Sequence, residues 1–102
     1  MCNKNFRLMT ITWIVFAMID YKFKEDITLA DLQEYVDSTY NQHYSQGKYQ
    51  ATDMIVDAGF GEGFCIGNIM KYAMRYGKKD DKRKELLKII HYAMIALYIN
   101  DQ

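Results

Sequence analysis

Not one proline occurs in this chain. Proline stops helices and shapes loops, so a chain without it can run in long helices and has little from which to build a loop-rich fold. Three of its six glycines fall within residues 59–63, which leaves the rest of the chain sparsely punctuated. Half of the 102 residues are apolar and 15% are aromatic, enough for a core, and this excludes wholesale disorder. The length fits one domain over residues 1–102, small enough that its core is not generous. The expected fold is a small all-α domain.

Residues 6–21 are apolar on nearly every side, which predicts a helix buried all round or pressed into a partner. A short strand over residues 8–16 competes, because Ile11, Trp13 and Val15 alternate with Thr10, Thr12 and Ile14. The apolar run at 8–19 is twelve residues, short of the ~20 that a membrane span needs, and it lacks a small-residue cleavage site. No membrane association is expected. Thr28, with Asp31 three residues on, reads as the N-cap of an amphipathic helix over 29–40. Its apolar face would carry Leu29, Leu32, Val36 and Tyr40, and its polar face Gln33, Glu34 and Asp37. Residues 41–48 read as a loop. A short helix over 49–58 stops at Gly59, and a longer one over 63–76 stops at Gly77. Asp80 or Asp81 then caps a last helix over 82–99, in which Leu86, Leu87, Ile90, Ala93 and Leu97 are placed to pack the core. The last two helices should form an antiparallel hairpin.

Charge divides the chain although its sum is zero. Residues 1–65 hold five basic and nine acidic side chains, residues 66–102 eight basic and four acidic. A neutral total argues against a general nucleic-acid coat, while the asymmetry points to a local anionic partner or to mutual attraction of the halves. Cys2 and Cys65 form neither a disulfide framework nor a metal pair, and His43 and His91 stand 48 residues apart. A reducing, cytoplasmic setting without metal or resident cofactor follows as the expectation.

The residues that can carry chemistry lie in the basic half. Asn68, Lys71, Tyr72 and Arg75 stand at i, i+3, i+4 and i+7, one line on a helix otherwise filled by Phe64, Ile66, Ile69, Met70, Ala73 and Met74. If that line is partly buried, its charges call for an anion; otherwise it is a solvated face that neutralises the acidic half. Lys78 and Lys79 follow in the turn, where the N-terminus of the next helix also offers free N–H groups. On that helix Lys88 and Tyr92 would turn towards the same line, while His91 reads as structural. The run Gly59-Phe60-Gly61-Glu62-Gly63 reads as a helix stop and tight connection rather than a phosphate loop. It lacks the Gly-Lys-Ser/Thr ending, and Glu62 would repel phosphate. No nucleophile–base pair stands out, so no catalytic residue is assigned.

Spaced residues here also match a family. His43-Tyr44, Gly47 and Thr52-Asp53-Met54-Ile55 are followed by Phe64-Cys65-Ile66-Gly67-Asn68, Lys71-Tyr72, Arg75 and Gly77-Lys78-Lys79, then Glu85-Leu86-Leu87-Lys88 with Tyr92. This pattern over residues 43–99 resembles the SaV-like domain of phages and prophages, a domain of unknown function. Asn41-Gln42 replaces that family's proline, Glu85 stands where Asp is usual, and residues 1–40 fall outside the match. The resemblance implies a phage-encoded protein. One branch of the family is described as nucleotide kinase, so it also implies a nucleotide ligand for the polar line.

Two functions from different classes follow as expectations. In the first, the protein binds a nucleotide or phosphorylated metabolite, for turnover or sequestration. Asn68, Lys71, Tyr72, Arg75, Lys78, Lys79 and Lys88 would form the site, and Tyr44, Tyr72 or Tyr92 would stack on a base. Arg75 is the strongest phosphate candidate, and its replacement by Ala is expected to leave the fold intact. In the second, a phage protein inhibits a host defence enzyme by direct contact, an anti-CRISPR type of role, with Trp13, Phe16 and the acidic helix as interface. Self-association into a homo-oligomer through residues 8–19 is compatible with either.

Overall fold

A computed structural model describes residues 19–44, 48–79 and 81–102, with the side chains of 43–49 excepted. Among the described residues there are four α-helices and no strand, so the fold is all-α. None of these helices is long and apolar enough to cross a membrane. The candidate strand at 8–16, Trp13, Phe16 and the side chain of Tyr44 lie outside the described residues. The chain divides into two compact units, Met1–Gln33 and Glu34–Gln102.

Helix α1, Glu25–Tyr44, starts earlier and ends later than the sequence suggests. Thr28 is not its cap, because the Thr28 N–H already donates to the carbonyl of Lys24 at 3.1 Å, inside the first turn. The start is set instead by Lys24, in the left-handed region at φ 54°, and by Glu25, whose carboxylate accepts from the Phe23 N–H at 3.0 Å. Two acids in the first turn, Glu25 and Asp26, suit the positive end of the helix dipole. At the other end the polar residues 41–44, read as loop, simply continue the helix, since no proline or glycine interrupts them. Of the expected apolar face Leu32 is buried and Val36 half-buried, but Leu29 and Tyr40 are exposed.

Helix α2, Lys48–Asp57, ends in a Schellman closure. The Phe60 N–H reaches the carbonyl of Ile55 and the Gly59 N–H that of Val56, both at 3.0 Å. Gly59 sits at φ 90°, where a side chain would strain the backbone. The glycine run is therefore a helix stop, as its sequence suggests. Helix α3, Gly61–Met74, begins two residues later, and α4, Lys82–Asn100, follows a turn through Gly77 at φ 76°. Asp81 caps α4 by accepting from the Arg83 N–H at 2.9 Å.

Helices α3 and α4 pack antiparallel, because contacts pair the start of one with the end of the other. Gly61 lies against Ile99, Phe64 against Tyr92, and Arg75 against Glu85. The α4-facing line of α3 is Gly61, Cys65, Asn68, Tyr72 and Arg75, at successive helical turns. Gly61 and Cys65, both buried, let the helices approach closely, and the larger polar and aromatic side chains widen the seam towards the turn. Among the described residues the buried apolar side chains are Leu32, Cys65 and Leu87, and of these Cys65 is fully buried. Leu86, Ala93 and Leu97, expected in the core, are exposed. On α3 the apolar residues Ile66, Met70 and Met74 recur every fourth position on the side turned away from α4, and all three are exposed.

Candidate functional site

Of the polar line of α3, Asn68, Tyr72 and Arg75 are half-buried against α4, while Lys71 is exposed. Asn68 is half-buried and donates from Nδ2 to the Phe64 carbonyl at 2.8 Å, one turn back. Its amide therefore serves its own helix. Tyr72 is the centre of the arrangement. Lys71 Nζ stands 4.7 Å from the centre of its ring, the Arg75 guanidinium carbon 4.6 Å, and Lys88 Nζ, from α4, 5.0 Å. Tyr92 stacks on the same phenol at 6.0 Å between centres and 18° between planes. Phe64 meets Tyr92 edge-on at 5.8 Å. The hairpin thus brings Lys71, Tyr72, Arg75, Lys88 and Tyr92 together, with Asn68 one turn away. Lys78 and Lys79 stand exposed in the turn, and no described contact ties either to Tyr72. Lys82 lies 5.8 Å from the Tyr76 ring.

One residue that sequence reasoning passed over completes the cluster. Glu85, in the first turn of α4, is wholly buried, and its Oε2 accepts from Arg75 Nε at 3.4 Å. Both charges sit where helix dipoles favour them, Arg75 at the C-cap of α3 and Glu85 near the N-terminus of α4. Glu85 Oε1 has no hydrogen-bond partner among the described residues. A charged partner of Arg75 therefore lies ten residues on, inside the basic half, and Arg75→Ala is no longer expected to leave the fold intact. The signal was present in the spacing. Glu85, Lys88 and Tyr92 stand at i, i+3 and i+7, so an acid shares the face of the proposed cationic site.

The electrostatics follow from these distances. Each cation lies within 5.0 Å of one ring centre, so no two are more than about 10 Å apart. At that separation like charges repel by roughly 0.4 kcal/mol in water and roughly 1.7 kcal/mol at the effective dielectric of a protein surface. The tyrosine face repays about 0.5–1 kcal/mol per cation at an exposed position. With Glu85 counted, the four charged groups sum to +2, a density that favours an anion.

Beside the cluster lies a groove of about 490 Å³, a size usual for small-molecule sites. Tyr72, Tyr92 and Lys88 line it together with Phe64, Thr39, Thr52, Tyr35 and His91. The last two are paired edge-on at 6.0 Å. Thr39 donates its hydroxyl to the Val36 carbonyl at 2.7 Å. A second groove of about 550 Å³ shares Thr52, His91 and Ile95 with the first and carries Asp53 and Asp57 on its wall. Among the described residues no three His, Cys, Asp or Glu side chains gather as metal ligands would. Burial pushes the Cys65 thiol above its ordinary range, which suits an inert core residue rather than a nucleophile.

No curated protein and no solved structure matches the chain. One family model does, over residues 38–94, more than half of the chain. That stretch holds every residue of the Tyr72 cluster and all of the groove's lining except Tyr35 and Ile95. The chain belongs to this family, DUF3310, described as a protein of unknown function.

Proposed function

We propose that the protein binds a nucleotide or another phosphorylated metabolite in the groove beside Tyr72. The observation that carries this is the convergence of Lys71, Arg75 and Lys88 on one phenol ring at the edge of an aromatic-lined groove. Phosphate oxygens would take the cations, and charge-assisted contacts are the strongest available for the purpose. A base would lie along the aromatic wall, where Phe64 and Tyr92 offer ring surface. The resemblance to a phage domain with a nucleotide kinase branch favours a nucleotide over other phosphates, and a host-cell cytoplasmic setting. Turnover and sequestration both fit this geometry. Calorimetric titration with mono-, di- and cyclic nucleotides tests the reading. Binding should occur, and Lys88→Gln should weaken it roughly tenfold, the loss of one charge-assisted contact. Failure of the wild-type chain to bind any of the panel refutes it.

A second reading, direct contact with another protein, is favoured by a different observation. Ile66, Met70 and Met74 stand exposed in one stripe of α3, and Phe60 just ahead of that helix is 71% exposed. Contiguous apolar surface of this kind marks contact sites. An inhibitor of a host defence enzyme, of the anti-CRISPR type, would use such a stripe, and so would a homo-oligomer. Size measured by light scattering, alone and after Met70→Glu, separates self-association from the rest.

A further inference from the structure

We propose that Glu85 is a positioning residue of the anion site, a role that rests on the phosphate-binding reading above. Its carboxylate is wholly buried in the first turn of α4, yet the cation it holds is partly open to solvent, with 28% of the Arg75 side chain exposed. The contact is made at Nε, the inner edge of the guanidinium, at 3.4 Å. A guanidinium is planar, so fixing that edge sets the direction of its outer nitrogens. The guanidinium carbon so held stands 4.6 Å from the centre of the Tyr72 ring, which Lys71 and Lys88 also meet. Arginine would otherwise have to give up rotamer freedom on binding, and Glu85 removes that cost beforehand. A buried carboxylate with one oxygen unpartnered among the described residues is expensive for a mere helix clamp. Holding a ligand-binding side chain in place is a reason for it to stay.

The two roles predict opposite signs. Glu85 is an anion beside Arg75, one of the three cations on the Tyr72 ring, so Glu85→Gln raises the local positive potential. A bystander carboxylate therefore predicts equal or tighter anion binding in the variant. A positioning carboxylate predicts weaker binding, because the guanidinium loses its orientation. Inorganic phosphate and ADP are titrated calorimetrically against the wild type, Glu85→Gln and Glu85→Asp, with thermal melts in parallel. We expect Glu85→Gln to bind about tenfold more weakly, in the range found when an orienting partner is lost. Glu85→Asp, which keeps the charge but retracts it by one methylene, should fall between the two. In 15N spectra the Arg75 Nε–Hε signal should be protected in the wild type and exchange fast in Glu85→Gln. Equal or tighter binding by folded Glu85→Gln overturns this role while leaving the site reading intact. If Glu85→Gln does not fold, wild-type affinity in Glu85→Asp overturns it instead. If the wild type binds neither probe and no member of the nucleotide panel, the site reading fails and this role fails with it.

Discussion

Removing Arg75 should damage the fold through Glu85 rather than through lost packing. Arg75→Ala leaves a carboxylate with no exposed surface and takes away its one described partner. Breaking a buried ion pair from one side costs about 3–5 kcal/mol, because the remaining charge is uncompensated. Since Arg75 is 28% exposed, water can enter the space it leaves, which places the expectation near the lower end, about 3 kcal/mol. Loss of the contact with Tyr72 adds about 0.5–1 kcal/mol. A small domain has only about 5–15 kcal/mol in all, so a large share would go. For the resulting total of about 3.5–4 kcal/mol the melting point should drop by roughly 14–32 °C, at 4–8 °C per kcal/mol for a domain of this size. Urea unfolding followed by circular dichroism gives the free energy directly. The control is Arg75→Met combined with Glu85→Leu, which removes both charges and should recover most of the loss, since apolar replacement of a buried pair is often neutral. An Arg75→Ala cost under about 1 kcal/mol, or a double variant no better than the single, would show that the pair does not bear on stability and refute the reasoning.

Three further outcomes are expected. Gly61→Ala should cost about 1–3 kcal/mol by crowding, because an added Cβ would meet Ile99 Cδ1 at 2.6 Å and Val56 Cγ2 at 3.1 Å, and Ile99→Val should restore part of it in urea unfolding. Burial raises the Cys65 thiol, so the folded state keeps its proton longer than the unfolded one. Its contribution to stability is therefore complete below the unfolded thiol value of about 8.5 and is lost as pH rises through the folded value; denaturation curves from pH 7 to 10 should show a decline that is smaller in Cys65→Ala. Asp81→Ala should cost about 0.5–2 kcal/mol through the lost cap of α4, measured the same way, and a loss near zero would mean that the Arg83 N–H finds another acceptor.

Much of the fold was legible because its punctuation is explicit. Gly59 sits at positive φ and ends α2 where the sequence places the break, Gly77 turns the chain at positive φ although α3 spans Gly61–Met74 rather than 63–76, and Asp81 caps as its type predicts. The boundaries of α1 were misjudged for a physical reason. Thr28 and Asp31 have the spacing of a capping box, but Glu25 and Asp26 offer a first turn one step earlier, and Lys24 accepts the left-handed backbone that starts it. Burial was the least legible property. Leu86, Ala93 and Leu97 are apolar and spaced for a core, yet they are exposed, while Asn68, Tyr72 and Arg75 lie towards the neighbouring helix. Gly61 and Cys65 decide this, since the helices come closest where side chains are smallest, and the residues sharing that line turn inward with them.

The candidate site was legible as a set of cations but not as a charge balance. Spacing along two helices was enough to place Lys71, Tyr72, Arg75, Lys88 and Tyr92 together, because a hairpin with a short turn leaves few registers. It did not assign Arg75 a partner, since Glu85 was weighed as a change from the family's usual Asp rather than as a charge on the same face. Once Glu85 is included, the line that the sequence offered as either an anion site or a solvated face carries a buried ion pair, and the proposed anion site has to be built around it. The pair occupies one edge of one guanidinium, and the two lysines with the aromatic groove remain the features a structural pair does not explain. Lys71 and Lys88 meet the same ring as Arg75, so three like charges stand close together beside the pair. On the reading proposed here the cations on that ring take the anion, and Glu85 sets the geometry of Arg75 among them.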